Sequence, residues 1–325
     1  MKAAVLGVGG VEFADFPVPS PQPHEVLVRV RACGLNRADL LVAMGHSHGK
    51  VGGPGTRLGM EWSGEVVEVG GDTQGFQAGD RVMCSGTAGW APYALCDWRR
   101  ANPIPAADMT YEQAASLPIA LNTMHDALVT NGRLRAGESV MIQGASSGVG
   151  IMAMQIARLM GARLVIGSST DAGRRARLTE FGADLGVDSR DPSWVDAVLK
   201  ATDGAGVDLI VDQISGYAAN QNLAATAIKG RIVNVGRLGG FVGEFDFDLH
   251  AMRRINYIGV TFRTRSIEEI HEINKRMRAD LWDAVAAGKL EIPLDRNYAL
   301  AEVGQALEHM RENRHFGKIT LTVGD

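Results

Sequence analysis

The chain has 325 residues, 46% of them hydrophobic, and a formal net charge of -4. That length supports one large domain or two ordinary ones, and the charge offers no basic footprint for nucleic acid. No apolar run approaches the roughly 18 residues of a membrane span, and Cys33, Cys84 and Cys96 are too few and scattered for a disulfide framework.

The opening apolar run is too short for a signal peptide and is broken by Gly7, Gly9 and Gly10. A cytoplasmic protein with reduced thiols is expected. Up to about residue 120 the pattern is β-like. Residues 25–32 and part of 64–70 alternate polar and apolar, and frequent Gly and Pro predict short strands joined by turns. Thr110 and Gln113 fit a capping box that starts a helix.

From Val140 the rhythm becomes strand, helix, strand, helix. Val149, Met152, Ala153, Ile156, Ala157 and Met160 form one apolar helical face, ended by Gly161. Residues 164–166, 185–187, 209–211 and 231–235 read as short buried strands, and 172–181 as a second helix stopped by Gly182. Such alternation predicts an α/β fold with a parallel sheet covered on both faces. Ser266 starts a charged amphipathic helix, and 317–323 reads as a last strand in the style of the amino-terminal region. The expected organisation is a dinucleotide-binding domain at 121–264 inserted in a discontinuous domain at 1–120 and 265–325.

Gly144-Ala145-Ser146-Ser147-Gly148-Val149-Gly150 joins the first of these strands to its helix. Small residues let a turn approach a pyrophosphate, which then sits at the positive end of the helix. An acid normally holds the ribose diol at the end of the next strand. Here that strand ends in Ser168, Ser169 and Thr170, with Arg174 and Arg175 one turn on and Asp171 placed as an N-cap. Hydroxyls and a guanidinium suit a 2′-phosphate, which points to NADPH.

The order of further motifs is informative: Asn36-Arg37-Ala38-Asp39-Leu40-Leu41, Leu58-Gly59-Met60-Glu61, Gly79-Asp80-Arg81-Val82, the glycine turn, Phe181-Gly182-Ala183-Asp184, Phe262-Arg263-Thr264-Arg265-Ser266 and Gly317-Lys318-Ile319. Together they resemble the zinc-independent quinone oxidoreductases, the zeta-crystallin-like branch of the medium-chain dehydrogenase/reductase superfamily, over nearly the whole chain. The resemblance implies a GroES-like β-rich catalytic domain, a Rossmann domain with a doubly wound parallel sheet, NADPH, and a homodimer or a higher assembly of dimers. It places Ser146, Ser147, Gly148 and Val149 at the pyrophosphate, and Ser168, Ser169 and Arg174 at the 2′-phosphate. Thr123, Val235, Gly236, Arg237, Phe262 and Arg263 fall beside the nicotinamide half. Lys318 is placed either in the cofactor cleft or at a surface strand start.

Zinc alcohol dehydrogenases of the superfamily carry a Cys at the position of Asn36 and a His at that of Met60. Neither Asn nor Met is a zinc ligand of the usual kind, so no metal is expected. His46 and His48 lie in a glycine-rich loop. Without a Lewis acid, alcohol oxidation is disfavoured. Hydride transfer to a quinone or an α,β-unsaturated carbonyl is the expected chemistry, with Asn36 orienting either the substrate carbonyl or the nicotinamide ribose and His48 a second catalytic candidate. Met60, Trp62 and Trp90 are either an apolar pocket wall or simply core. The competing readings are a zinc-type alcohol dehydrogenase and a noncatalytic NADPH-binding protein of the crystallin kind.

Overall fold

The computed structural model describes residues 1–49 and 51–324, in two units: Met1–Ile119 with Phe262–Asp325, and Ala120–Thr261.

The Ala120–Thr261 unit is built on a six-stranded sheet. Its order is Leu185–Val187, Leu164–Ser168, Ser139–Ile142, Val207–Asp212, Thr226–Asn234 and Asn256–Gly259, and every pairing is parallel. In chain order this is three-two-one-four-five-six, the doubly wound arrangement. Its strand order reverses between Ser139–Ile142 and Val207–Asp212, leaving a crevice outside their carboxyl ends.

The helix Gly148–Leu159 departs from the one-face expectation. Ile151, Met152, Ala153, Met154, Ile156 and Ala157 are all fully buried, so most of its circumference is covered. A helix apolar nearly all round belongs inside a core. The predicted second helix forms as Ala172–Ala176 and then tightens into a 3₁₀ turn over Arg177–Phe181; Gly182 ends it at φ +96°, a conformation that favours glycine. Met141, Ile166, Trp194, Val198, Ile210 and Ile232 are among the residues filling one core cluster of this unit.

The other unit carries a seven-stranded sheet. Along it run Leu294–Ala299, Lys318–Thr322, Glu25–Gly34, Glu61–Val69, Arg81–Ser85 and Ala101–Pro103, with Tyr93–Asp97 also paired to Glu25–Gly34. An antiparallel hairpin, Lys2–Leu6 with Val11–Asp15, accompanies it. Both expected capping boxes form, Thr110 with Gln113 and Ser266 with Glu269. The helix that Ser266 starts, Ile267–Ala286, packs on this unit: Asn102 Nδ2 donates to Asn274 Oδ1 at 3.1 Å, and Trp98 stacks edge-on to His271. Trp62, Trp90 and Met60 all belong to the core cluster beneath the sheet, which settles them as packing residues. Among the described residues, no helix is long and apolar enough to cross a membrane.

Candidate functional site

Two constellations of polar residues stand out, one in each unit. The first sits at the strand-order reversal. Gly144 takes φ +70° after Ser139–Ile142, and the turn is stapled by serines. Ser147 N-caps the following helix: its hydroxyl accepts from Gly150 N–H at 3.1 Å and donates to the Gly144 carbonyl at 2.8 Å. A Cβ on Gly150 would lie 2.5 Å from the Gly144 oxygen, so only glycine lets turn and helix meet. The N–H groups of Gly148 and Val149, in the first turn, have no intrahelical acceptor. They form the positive end on which an anion can rest.

Ser168 ends the neighbouring strand and Ser169 follows it, and they differ in what they can do. Ser168 is 1% exposed; its hydroxyl accepts from Gly144 N–H at 2.9 Å and donates to Gln143 Oε1 at 2.6 Å. It is therefore a strut of the turn, and the expectation that it lines a phosphate gives way to that role. Ser169 Oγ donates to Ser146 Oγ at 3.1 Å, which joins the strand end to the turn. Asp171 caps the next helix through the Arg174 N–H at 2.7 Å. The Arg174 guanidinium lies 3.7 Å from the same carboxylate. Arg175 is committed elsewhere, to the Ser169 carbonyl at 2.8 Å and Asp188 at 3.3 Å.

Across the crevice, Val235 and Gly236 N–H groups donate to the Asp212 carbonyl at 2.8 and 3.1 Å. A Cβ on Gly236 would meet Gln213 O at 2.7 Å. Arg237 folds back on the Val235 carbonyl at 3.2 Å. Three residues here escaped sequence reasoning. Gln143 donates through Nε2 to Asn222 Oδ1 at 2.8 Å, and Gln213 bridges the two strand ends by donating to the Gln143 carbonyl at 2.9 Å. Ser215, at φ +56°, donates from its N–H to Asp212 Oδ1 at 2.9 Å and from its hydroxyl to the Gly236 carbonyl at 2.7 Å. A non-glycine residue held at positive φ stores strain of a kind that concentrates at functional sites. For Gln143 and Gln213 the available signal was a polar residue immediately after an apolar strand. Thr123 lies on the helix Pro118–His125.

The second constellation is assembled by three strands of the other sheet. The strand Glu25–Gly34 ends beside the start of Lys318–Thr322, where Leu35 N–H bonds the Ile319 carbonyl at 3.0 Å. The strand Glu61–Val69 begins on its other side. Gly34 keeps the centre open: a Cβ there would fall 2.3 Å from Ala115 O, 2.8 Å from Lys318 Cε and 2.9 Å from Glu61 Oε2. Into this gap come Asn36, Glu61 and Lys318. Lys318 Nζ lies 2.5 Å from Glu61 Oε2 and 2.9 Å from Asn36 Oδ1, and Asn36 Nδ2 donates to Glu61 Oε2 at 3.0 Å. Lys318 thus starts a strand, as one of its two sequence readings had it, but in a buried ion pair and not on the surface. Glu61, a carboxylate with no exposure at all, was quoted only within a motif.

Asp39, in the first turn of Arg37–Ala43, accepts the Asn36 backbone N–H at 2.9 Å. Burial pushes its carboxyl up to about 7, against the pull of Lys318. Burial, with Asp39 and Glu61 nearby, also drives the Cys33 thiol far above the usual range, and its Sγ donates to the Gly89 carbonyl at 3.2 Å. His48 closes a small loop with Val51 through N–H···O bonds of 2.7 and 3.1 Å. Burial and the Arg263 charge lower its pKa, so the structure brings His48 and Arg263 together. Phe262 is covered by the Arg265 guanidinium, 5.6 Å from its ring centre.

Comparison with known proteins accounts for both units. Residues 148–279 match the zinc-binding dehydrogenase family, and 22–106 match the alcohol dehydrogenase GroES-like domain. The chain is 30% identical over 312 residues to a quinone oxidoreductase of Pongo abelii, covering 94% of this chain and 92% of that protein. It is also 30% identical over 314 residues to a mycocerosic acid synthase-like polyketide synthase of Mycobacterium tuberculosis, covering 96% of this chain but only 15% of that much longer protein. A solved alcohol dehydrogenase superfamily protein from Novosphingobium aromaticivorans superposes with a TM-score of 0.87 at 30% identity, with both chains covered in full. The Escherichia coli quinone oxidoreductase shares the fold, with a TM-score of 0.86 at 21% identity over 99% of this chain and 100% of that one. The chain belongs to the medium-chain dehydrogenase/reductase superfamily of oxidoreductases, in its quinone oxidoreductase branch.

Proposed function

We propose that this protein reduces a quinone or an α,β-unsaturated carbonyl with hydride from NADPH, without zinc. The observation that carries this reading is the donor set around Asn36. A zinc site wants thiolate, imidazole or carboxylate. Here Asn36 and Met60 offer neither charge nor imidazole, Cys33 is a neutral thiol bonded to Gly89, and Glu61 is already paired with an ammonium. Among the described residues no group of three or more His, Cys, Asp or Glu side chains is arranged to hold a metal. That donor set does not fit zinc, and the chemistry it suits is reduction of an acceptor that is already electron-poor.

The residues at the strand-order reversal fit a dinucleotide, which when bound supplies the hydride. Ser146, Ser147, Gly148 and Val149 would hold the pyrophosphate, and Ser169 with Arg174 the 2′-phosphate. Val235, Gly236 and Arg237 would line the nicotinamide half, with Thr123, Phe262 and Arg263 as further contacts. Asn36 would donate an amide N–H to the acceptor's oxygen as charge develops there. His48, kept neutral by burial and Arg263, would be a second donor, and water would deliver the final proton.

A homodimer is supported by Asn256–Gly259, an edge strand of the parallel sheet, and by the exposed Phe247, joined through the Phe245 ring to Tyr257 of that strand. An open edge beside an apolar patch is a place for a second copy. A cytoplasmic setting is part of the same proposal.

The test is steady-state oxidation of NADPH by ortho-naphthoquinone, phenanthrenequinone and simple enones, before and after dialysis against a chelator. Turnover that survives dialysis is expected. One tightly held zinc per chain, or tight NADPH binding with no turnover across the panel, overturns the reading.

A further inference from the structure

The Asn36 carboxamide is clamped between opposite charges. Its oxygen accepts from the Lys318 ammonium at 2.9 Å, its nitrogen donates to Glu61 Oε2 at 3.0 Å, and Lys318 and Glu61 meet each other at 2.5 Å. The three groups form a closed ring. An amide has nearly the same shape when turned over, but charge distinguishes the two orientations here. Reversed, the NH₂ would face an ammonium and the oxygen would face a carboxylate, leaving both charges without a partner in Asn36.

The clamp has fixed supports. Glu61 Oε1 accepts the Ile119 N–H at 2.7 Å, and the Asn36 backbone N–H is held by Asp39 Oδ2 at 2.9 Å. Glu61 is 0% exposed and Lys318 4%, whereas Asn36 is only partly buried. Asn36 is therefore the member of the ring with access to solvent, and only one of its two amide N–H bonds is spent on Glu61. A buried ion pair is a poor source of stability, because desolvation offsets its attraction. Holding one orientation of a neighbour is a purpose such a pair serves well.

We propose that Glu61 and Lys318 are positioning residues that lock the Asn36 amide with its second N–H facing the acceptor. The role rests on the reading that Asn36 donates to the acceptor's oxygen. A donor fixed in advance loses no reorganisation as charge develops on that oxygen. The pair acts only through Asn36 and touches no reacting atom.

Paired substitution separates this role from simple support. In Glu61→Gln with Lys318→Met no buried charge is left unpaired. With the substituted amide's oxygen kept on the Ile119 N–H, its NH₂ would stand where Oε2 was, and Asn36 would turn its own oxygen toward it. The double variant therefore favours the reversed amide. Asn36→Ala, the double variant and the triple variant are compared in kcat/KM with NADPH and ortho-naphthoquinone. Asn36→Ala and the double variant are each expected to lose roughly tenfold or more, mainly in kcat. The triple variant should lose no more than either, because all three remove one interaction. Lys318→Arg, which keeps the charge on the amide oxygen, should retain most of the activity.

A double variant within about twofold of wild type while Asn36→Ala is impaired overturns the clamp alone. Losses that multiply in the triple variant do the same. Wild-type protein with no turnover, or Asn36→Ala at the wild-type rate, overturns the functional reading and this inference with it. If the double variant does not fold, hydrogen exchange of the Asn36 side chain in isotope-labelled wild-type protein decides. One N–H protected and one open is expected, and two that exchange equally fast refute the clamp.

Discussion

Replacing Asp39 by Asn should reverse the sign of its effect on stability between acid and alkaline pH. The Asp39 side chain is 1% exposed. One oxygen accepts the Asn36 N–H at 2.9 Å, and the other, Oδ1, has no hydrogen-bond partner. Burial raises its pKa to about 7; Glu61 adds to the rise and Lys318 opposes it. In the unfolded chain the same carboxyl titrates near 3.9. Between those values the folded state binds the extra proton, so stability is lost as pH rises from about 4 to about 7. At roughly 1.4 kcal/mol per pH unit the full loss is about 4 kcal/mol above neutrality.

Asparagine keeps the acceptor for Asn36 N–H but buries an NH₂ whose partner is missing, at a cost of about 1–3 kcal/mol. The variant should therefore be more stable than wild type by about 1–3 kcal/mol at pH 8 and less stable by a similar amount at pH 4. Urea unfolding followed through buried Trp62 and Trp90, in the same unit, measures the difference at each pH. An equal difference at both would show that the Asp39 carboxyl is not held out of its ordinary range.

Arg174→Ala should weaken NADPH binding by about 10–100-fold, the worth of a charged hydrogen bond, and leave NADH nearly unchanged; equal weakening in titration calorimetry would remove Arg174 from the 2′-phosphate. Ser168→Ala takes a partner from Gly144 N–H and Gln143 in a buried place and should cost about 1–3 kcal/mol of stability while the NADPH:NADH preference stays put. A changed preference would return Ser168 to the phosphate. Gly34→Ala drives a Cβ onto a fixed backbone oxygen, 2.3 Å away, and onto the Lys318–Glu61 pair. A loss of about 1–3 kcal/mol or more is expected, and a melting temperature equal to wild type would contradict the close approach.

The strands and helices around the glycine turn were legible because they depend on local chemistry. Apolar runs of four to six residues, Gly161 and Gly182 at helix ends, Asp171 and Ser266 as caps, and small residues at Gly144–Gly150 act within a few residues of themselves. The edge strand Asn256–Gly259 was missed, since three of its four residues are exposed and it carries no buried run. The burial of Ile151 and Met154, on the far side of the helix Gly148–Leu159, was also hidden, because what covers a helix is set by distant chain.

Asn36 and Lys318 were singled out one at a time, yet their meaning came from each other. They are separated by 282 positions, and Glu61 by 257 from Lys318; no spacing rule reaches that far. Only the antiparallel pairing of three strands, with Gly34 leaving room between them, puts an ammonium and a carboxylate on the two ends of one amide. The same holds for Ser168: sequence placed a hydroxyl at a strand end, and folding spent that hydroxyl on the neighbouring turn. Residue types and local order thus determined the fold class, the helix caps and the candidate chemistry, while the direction in which Asn36, Glu61, Lys318 and Ser168 point was decided by strand pairing.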